Sequence, residues 1–365
     1  MRWQPVRSAV ATVVACAVVV TVGASAARAA VPTISSFSPG AAPALAGIGG
    51  VSCPTVEVCF AIGGEAGFPQ GKGVIIGTAD GGARWKVLGQ PAGPHIFYGI
   101  TCPTALYCKV AGIGPSDAGT VYTTRDGGAV WAKDPLELGG EPFLAIACHA
   151  PQTCEAGGGG VGQLIYGTSD GGKTWSPQSV PDFTGVDGLA CPTASVCVAG
   201  GYDGQRASGP TAAVARTTDG GSRWTAQVFP GGTANGVACP TARTCAAATG
   251  VILNRGTRGG MLRTTNGGAA WFRQRLPAGT PDLLSVSCPS VIDCMAVGFG
   301  SASWATTDEG RTWTKQAVPA GVADLRSVSC PAVSTCEAVG ESPDSTAVAL
   351  RTTDGGAMWS VQVVP

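Results

Sequence analysis

The sequence predicts an all-β protein, a seven-bladed β-propeller with four antiparallel strands per blade. Three observations carry that prediction. A pair of cysteines separated by five residues recurs seven times, at Cys53/Cys59, Cys102/Cys108, Cys148/Cys154, Cys191/Cys197, Cys239/Cys245, Cys288/Cys294 and Cys330/Cys336. A second motif, Thr-x-Asp-Gly-Gly-x-x-Trp, follows each pair and ends at Trp85, Trp131, Trp175, Trp224, Trp271, Trp313 and Trp359, with Asn266 replacing the fifth aspartate and Glu309 the sixth first glycine. Consecutive pairs start 49, 46, 43, 48, 49 and 42 residues apart. A period in the forties with strand-like patterning is the length of a propeller blade.

Each element of a blade has its own signal. An apolar residue two before the first cysteine (Val51, Ile100, Ile146, Leu189, Val237, Val286, Val328) is flanked by small residues. That alternation suits a strand a squeezed between neighbouring sheets. Proline after most of the leading cysteines ends the strand, because it lacks the ladder donor and presets a turn. The second cysteine opens strand b, so one disulfide per blade is expected to staple the a–b hairpin. Strand c leads into Asp-Gly-Gly, where glycines supply positive φ and the aspartate bonds the turn backbone. The tryptophan then starts strand d and buries its ring in the blade. In the last unit the strands are expected at Leu325–Ser329, Glu337–Gly340, Ala347–Thr352 and Trp359–Val364.

The first residues set the compartment. Arg2 and Arg7 precede an apolar run from Ala9 to about Val22, and Ala27-Arg28-Ala29 suits cleavage before Ala30. This is the pattern of a secretory signal. An uncleaved membrane anchor and a lipoprotein box ending at Cys16 are the competing readings. Expected boundaries are a signal peptide over 1–29, a lead-in over 30–46, and the propeller over 47–365. Within the lead-in, Thr33–Phe37 reads either as an extra edge strand latching blade seven or as a loose approach. The fourteen repeated cysteines, in an exported chain, read as disulfides. Zinc prefers shorter spacings and further ligands, and the chain has only 2 histidines. No metal and no cofactor is expected. With 23 basic and 23 acidic residues and no basic track, nucleic acid has no electrostatic footprint. No later segment suits a membrane span, and a monomer is expected.

The turn motif resembles the Asp-box, or BNR repeat, of sialidases and other propellers. The pattern Leu-x-Ser-Val-Ser-Cys-Pro with Cys-x-Ala-Val-Gly is similar to secreted bacterial proteins grouped with photosystem II assembly-factor propellers. The resemblance implies that the boxes serve the fold, away from any active site, and that a protein partner is the ligand class. A catalytic residue is needed once, whereas a turn-former is needed in every blade. Sialidases use three arginines, a tyrosine nucleophile backed by glutamate, and an aspartate acid/base, with an early Arg-Ile-Pro. This chain has no Arg-Ile-Pro, and no visible glutamate partners Tyr98. Other Asp-box enzymes, such as xyloglucanases, use two flanking carboxylates. Asp187 with Asp182, or Asp282 with Asp324, are the pairs to test.

Spacing locates the variable surface. The interval from second cysteine to box residue runs 21, 18, 16, 22, 21, 14 and 18, while the two motifs themselves hold constant spacing. In a propeller the a–b and c–d turns share a lower face, so variation gathers on the upper face with the b–c loops. Variable loops on a rigid scaffold are where binding is found. Four residues before each leading cysteine stand Gly49, Tyr98, Leu144, Asp187, Asn235, Leu284 and Arg326. Tyr98, Asp187, Asn235 and Arg326 are the candidate ligand-binding residues, ringing the channel mouth. A second set, Tyr202, Asp203, Arg206, Arg255 and Arg258, lies on blades four and five. Glu65 and Lys72 are offered by blade one, His95 precedes blade two, and Trp304 is expected to pack in strand c. The function expected is a secreted, non-catalytic propeller binding a protein or extracellular glycan. The alternative is a glycoside hydrolase with its site at the mouth.

Overall fold

The computed structural model describes residues 45–65, 72–91, 95–114, 118–136, 141–159, 165–204, 211–250 and 259–365. Strands β1 to β28, numbered in chain order, fall into seven four-stranded antiparallel sheets, and no helix occurs among the described residues. Blade one contains β1 (Leu45–Ser52), β2 (Cys59–Glu65), β3 (Gly73–Thr78) and β4 (Lys86–Val87), hydrogen-bonded in that order. The other six blades repeat the pattern. Their first strands are β5 (Ile96–Thr101), β9 (Phe143–Ala150), β13 (Gly185–Ala190), β17 (Thr233–Ala238), β21 (Leu283–Ser287) and β25 (Asp324–Ser329). These inner strands stand side by side around the axis, and β25 lies against β1.

Among the described residues the ring therefore closes without a shared strand. All four strands of blade seven come from Asp324 onward, ending in β28 (Ser360–Gln362). Thr33–Phe37 lies outside the described residues. Hydroxyls fasten the closing seam: the Val51 and Cys53 amides donate to Ser327 Oγ (3.2 Å) and Ser329 Oγ (3.0 Å). Equivalent bonds run from Val328 to Ser285 and from Cys330 to Ser287 between blades six and seven.

All seven expected disulfides are present: Cys53–Cys59, Cys102–Cys108, Cys148–Cys154, Cys191–Cys197, Cys239–Cys245, Cys288–Cys294 and Cys330–Cys336. The second cysteine of every pair, Cys59, Cys108, Cys154, Cys197, Cys245, Cys294 and Cys336, is buried where the second strand is packed between neighbouring sheets. The bridges therefore hold the hairpins together. Blade three also departs from the expected strand start. His149 replaces the proline that follows the other leading cysteines, so β9 runs on through Cys148 to Ala150. Its partner β10 (Thr153–Gly158) accordingly opens at Thr153, and Cys154 lies directly across the ladder from Cys148.

The Asp-Gly-Gly turns are built alike in every blade. In blade one Thr78 Oγ1 donates to Asp80 Oδ1 (2.8 Å) and accepts the Gly82 amide (2.9 Å), while Asp80 Oδ1 accepts the Arg84 amide (2.9 Å). Asn266 serves as well as aspartate because its Oδ1 plays the same part, accepting the Ala270 amide at 2.9 Å. The first glycine then donates to the a–b turn of its own blade, as Gly81 does to Glu57 O at 2.9 Å. Glu309 makes the same bond to Ile292 O and holds φ at 65°, a conformation costly for a residue with a side chain.

The tryptophans differ in detail from the sequence expectation. Each one precedes the fourth strand and packs at the seam toward the preceding blade. In five blades the residue three places after the preceding blade's tryptophan meets it. Trp85 Nε1 donates to Gln362 Oε1 (2.8 Å), Trp175 to Asp134 Oδ2 (3.2 Å), Trp224 to Gln178 Oε1 (2.8 Å) and Trp313 to Gln274 Oε1 (3.3 Å). The same side chains occupy the space a Cβ would need at the turn's second glycine: Gln362 over Gly82, Asp134 over Gly172, Gln178 over Gly221 and Gln274 over Gly310. That glycine is thus required by a neighbouring blade as well as by its positive φ. Leu88 fills the role by apolar contact against Trp131. Trp175 is half-buried, with the Lys109 ammonium 5.4 Å from its ring, whereas the other six turn-motif tryptophans are buried.

Charges back three of these seams. Lys109 Nζ, fully buried, donates to Asp134 Oδ2 (2.6 Å) and Thr123 Oγ1 (2.6 Å). Glu155 Oε1 accepts from Gln178 (3.2 Å), and Glu337 Oε1 accepts from Arg351 (2.8 Å) and Gln362 (3.3 Å). Burial pushes both glutamates up to about 7, against smaller lowering by Gln178 at Glu155 and by Arg351 at Glu337. The second oxygen of each carboxylate has no hydrogen bond among the described residues.

Truncating Trp224 to alanine should cost about 3–5 kcal/mol by loss of a buried ring, and Gln178→Ala about 1 kcal/mol. Urea unfolding of the two single variants and the double should show coupling between them; strict additivity would separate the side chains energetically. A raised carboxyl pKa means the folded state holds its proton where the unfolded chain has released it. Stability should therefore fall as pH rises from about 4.5 to about 7. Glu155→Gln should flatten part of that slope and raise the urea midpoint at pH 8; an unchanged profile would mean Glu155 is already solvated.

Candidate functional site

Antiparallel order fixes which ends of the strands meet. First strands run down to the disulfide turns, second strands run up, and third strands start at the upper face. The upper face is thus formed by the starts of the first and third strands and the ends of the second. One device recurs there. In each inner strand the residue four before the leading cysteine is skipped by the ladder, forming a β-bulge: Gly49, Tyr98, Leu144, Asp187, Asn235, Leu284 and Arg326. A bulge re-aims its extra side chain. The residue before it is buried in the blade (Ile48, Phe97, Phe143, Val186, Ala234, Leu283, Leu325). The residue after it is small, because the next inner strand approaches closely; a Cβ at Gly236 would lie 2.9 Å from Leu284 O. Only the bulge position is free to vary in chemistry.

Blade one differs from the others in two ways. Its inner strand carries a second upper bulge at Ala46, and its main bulge is Gly49, with nothing within 4 Å of where a Cβ would stand. Where the ring lacks a side chain, a cavity of about 440 Å³ opens between blades seven, one and two. Its walls include the backbone of Gly47, Gly49 and Gly64, the Phe97 ring, Tyr98 and Arg326. Tyr98 is 36% exposed. Arg326 Nη2 donates to Glu341 Oε1 at 2.6 Å, and Glu341 is the one carboxylate lining the cavity among the described residues. With side-chain exposures of 39% and 22%, that pair contributes at most about 1 kcal/mol to stability and is open to rearrangement.

The four candidate residues thus fall into two groups. Tyr98 and Arg326 share the cavity. Asp187 and Asn235 sit on the equivalent bulges of blades four and five and do not line it. Asn235 is engaged by the fold: Thr233 Oγ1 donates to its Oδ1, and its Nδ2 donates to Leu283 O of blade six at 2.8 Å. The Asp187 carboxyl is pushed up to about 6 by burial alone. Tyr202, across the ladder on β14 (Cys197–Asp203), is raised by burial and then by the charges of Asp187 and Glu141.

The remaining candidates are dispersed. Asp203 is buried, and Arg206, Arg255 and Arg258 lie outside the described residues. Glu65 and Lys72 flank the b–c connection of blade one, joined by a 3.0 Å backbone bond. His95 is buried and stacks on Phe97 at 5.2 Å, behind the cavity wall. Trp304 packs in the third strand of blade six. Of the carboxylate pairs, Asp182 is exposed, Asp282 is buried, and Asp324 Oδ1 accepts the Gly300 amide at 2.8 Å. Sequence reasoning missed Glu341 and the cavity itself. The available signal was that blade one alone has glycine at the bulge position.

Among the described residues, no group of three or more His, Cys, Asp or Glu is placed to hold a metal ion, and no helix is long and apolar enough to cross a membrane. No protein-family model matches the chain, and no curated protein matches it. Solved structures do resemble it. YCF48 bound to D1 peptide aligns with a TM-score of 0.61 at 17% identity, covering 85% of this chain and 94% of that one. YCF48 from Cyanidioschyzon merolae aligns at 0.59 and 15% identity, covering 86% and 97%. The GH74 enzyme of Niastella koreensis aligns at 0.50 and 14% identity, covering 86% of this chain and 65% of that one. At these identities the likeness is one of fold, a seven-bladed β-propeller.

Proposed function

We propose that this protein is a secreted, non-catalytic binding propeller that takes an extended segment of a protein partner at the channel mouth. The observation that carries the reading is the cavity at Gly49. Five of its wall residues are glycines, Gly49 among them exposed and unpaired in the ladder, with an aromatic ring and an arginine at the edge, which suits an extended chain that offers an apolar side chain. One of the similar structures, YCF48, holds a peptide, and this supports the same ligand class here. Seven disulfides and the signal-like first residues support export. The turn motifs are read as Asp-boxes in a purely structural role.

Glycoside hydrolysis by paired carboxylates finds less support. The cavity's carboxylate, Glu341, is tied to Arg326, and Asp187 stands three blades away.

The test is a peptide array together with a glycan array, probed with folded protein and with Gly49→Leu. Gly49 has an ordinary backbone conformation and open space beside it, so leucine should fill the cavity and leave the melting temperature unchanged. Peptide binding that drops at least tenfold in Gly49→Leu and in Tyr98→Ala is the expected result. Peptide binding indifferent to both variants, or turnover of xyloglucan or a sialoside, contradicts the reading.

A further inference from the structure

An arginine ties blade to blade at four of the lower seams. Arg125 Nη2 donates to Gly171 O (3.0 Å), Arg216 Nη1 to Gly267 O (3.0 Å), Arg263 Nη2 to Val291 O (2.7 Å) and Arg351 Nη2 to Val56 O (2.9 Å), each reaching the blade that follows. Three of these arginines, Arg216, Arg263 and Arg351, stand directly before the threonine of the turn motif. Arg351 does more than bridge. Its Nη1 donates to Glu337 Oε1 at 2.8 Å, and its guanidinium covers Gly81 of the next turn, with Cζ 3.0 Å from where a Cβ would stand. One planar cation thus joins a buried carboxylate to a carbonyl of the neighbouring blade.

Blade three repeats the acid of that joint without its base. Glu155, like Glu337, follows the second cysteine of its pair, and Gly167 stands where blade seven has Arg351. Glu155 is 4% exposed; among the described residues its Oε1 accepts only from Gln178, its Oε2 has no hydrogen bond, and no cation pairs with it. An ionised carboxylate withdrawn from water is costly unless paired. The fold does not require an acid at this place, since the buried Val198 and Ala246 occupy it in blades four and five. The rest of the joint is present and open. Gly220, the counterpart of Gly81, is exposed, whereas Gly81, Gly171 and Gly267 are buried beside their arginines. Only Ala194 O, the counterpart of Val56 O, lies within 4 Å of a Cβ placed on Gly220. The seam between blades six and seven shows the room left when the arginine is replaced: Ala305 holds its position there, and a cleft of about 320 Å³ opens beside it.

We infer that the lower seam between blades three and four is a seat for a guanidinium from outside the chain, as an arginine side chain of a protein partner carries. Lying over Gly220, such a group meets Glu155 and Ala194 O as Arg351 meets Glu337 and Val56 O. A guanidinium suits these acceptors because its N–H groups lie in one plane and reach two places at once; an ammonium offers the charge without that fork. The seat is on the face opposite the Gly49 cavity and does not depend on the peptide reading.

The experiment is an NMR titration of the intact protein at pH 8 and constant ionic strength. It follows the Gly220 amide and the Trp224 indole N–H, which is linked to Glu155 through Gln178. Burial pushes the Glu155 carboxyl up to about 7, against a smaller lowering by Gln178, so it is largely ionised at this pH. Ethylguanidinium chloride is the probe; ethylurea, of similar shape without the charge, and propylammonium chloride are the controls. Ethylguanidinium should give saturable shifts at both signals, propylammonium weaker ones and ethylurea none. Glu155→Gln should weaken ethylguanidinium binding at least tenfold. Gly167→Arg supplies the group from within the chain, so it should abolish the response and raise the melting temperature at pH 8. No saturable shift in the wild-type protein, an equal response to ethylurea or propylammonium, or binding that persists in Glu155→Gln overturns the inference, whether or not Gly167→Arg folds. N-acetylarginine N-methylamide separates the sources. Binding as tight as that of ethylguanidinium sustains an arginine of a partner; binding of the small ion alone sustains the seat and removes the partner.

Discussion

The ring depends on one contact made at the lower seam between blades. The second glycine of each turn motif leaves a hollow that a side chain of the preceding blade fills, from beside the outermost strand at Gly82, Gly128, Gly172, Gly221 and Gly310, and from Arg216 and Met295 at Gly268 and Gly356. Gln362, Gln178 and Gln274 also accept the indole N–H and so satisfy a donor that burial would otherwise strand. The turn is thereby tied in two directions. Its first glycine donates to the disulfide loop of its own blade, and its second receives the neighbour. Among the described residues the closing seam carries the same joint, Gln362 against Trp85 and Gly82, and β28 is an ordinary fourth strand of blade seven.

Concentrating these constraints on one face frees the other. The motifs, the disulfides and the tryptophan seams lie at the lower ends of the strands. At the upper ends the ladder of every blade is interrupted by a bulge at the same position, with a second in blade one at Ala46, and apart from Asn235, which is tied to Leu283 O, the shared bulge position is released from packing demands. Chemistry can then differ from blade to blade at no cost to the fold, and it does: glycine, tyrosine, leucine, aspartate, asparagine, leucine and arginine follow one another around the mouth. The cavity is a direct consequence, since it opens beside the one bulge that has no side chain.

Much of this was legible in the sequence because it repeats. Blade number, strand order, cysteine pairing and the inner-strand position of Tyr98, Asp187, Asn235 and Arg326 all follow from residues recurring at fixed offsets. The seam was not read, although glutamine stands three places after the tryptophan in five blades, at Gln178, Gln227, Gln274, Gln316 and Gln362. A contact between units is invisible to reasoning that treats each unit alone. The site was only half legible for the opposite reason, that it does not repeat. Glu341 comes from the end of a second strand and reaches Arg326 across the ladder, and Asn235 looked like a ligand group although its amide holds blade six. Those assignments depend on which side chains meet, which spacing does not encode.

Hydrogen exchange at the closing seam tests the central claim, that side-chain joints close the ring as they join its other blades. The Val51 and Cys53 amides donate to Ser327 and Ser329 across the closure, as Val328 and Cys330 do to Ser285 and Ser287 within the ring. If the joints are equivalent, the two pairs of amides should show the same protection and lose it together as urea is added. Exchange at Val51 and Cys53 that is orders of magnitude faster, with blades two to six still protected, would show a weak closure and contradict the account.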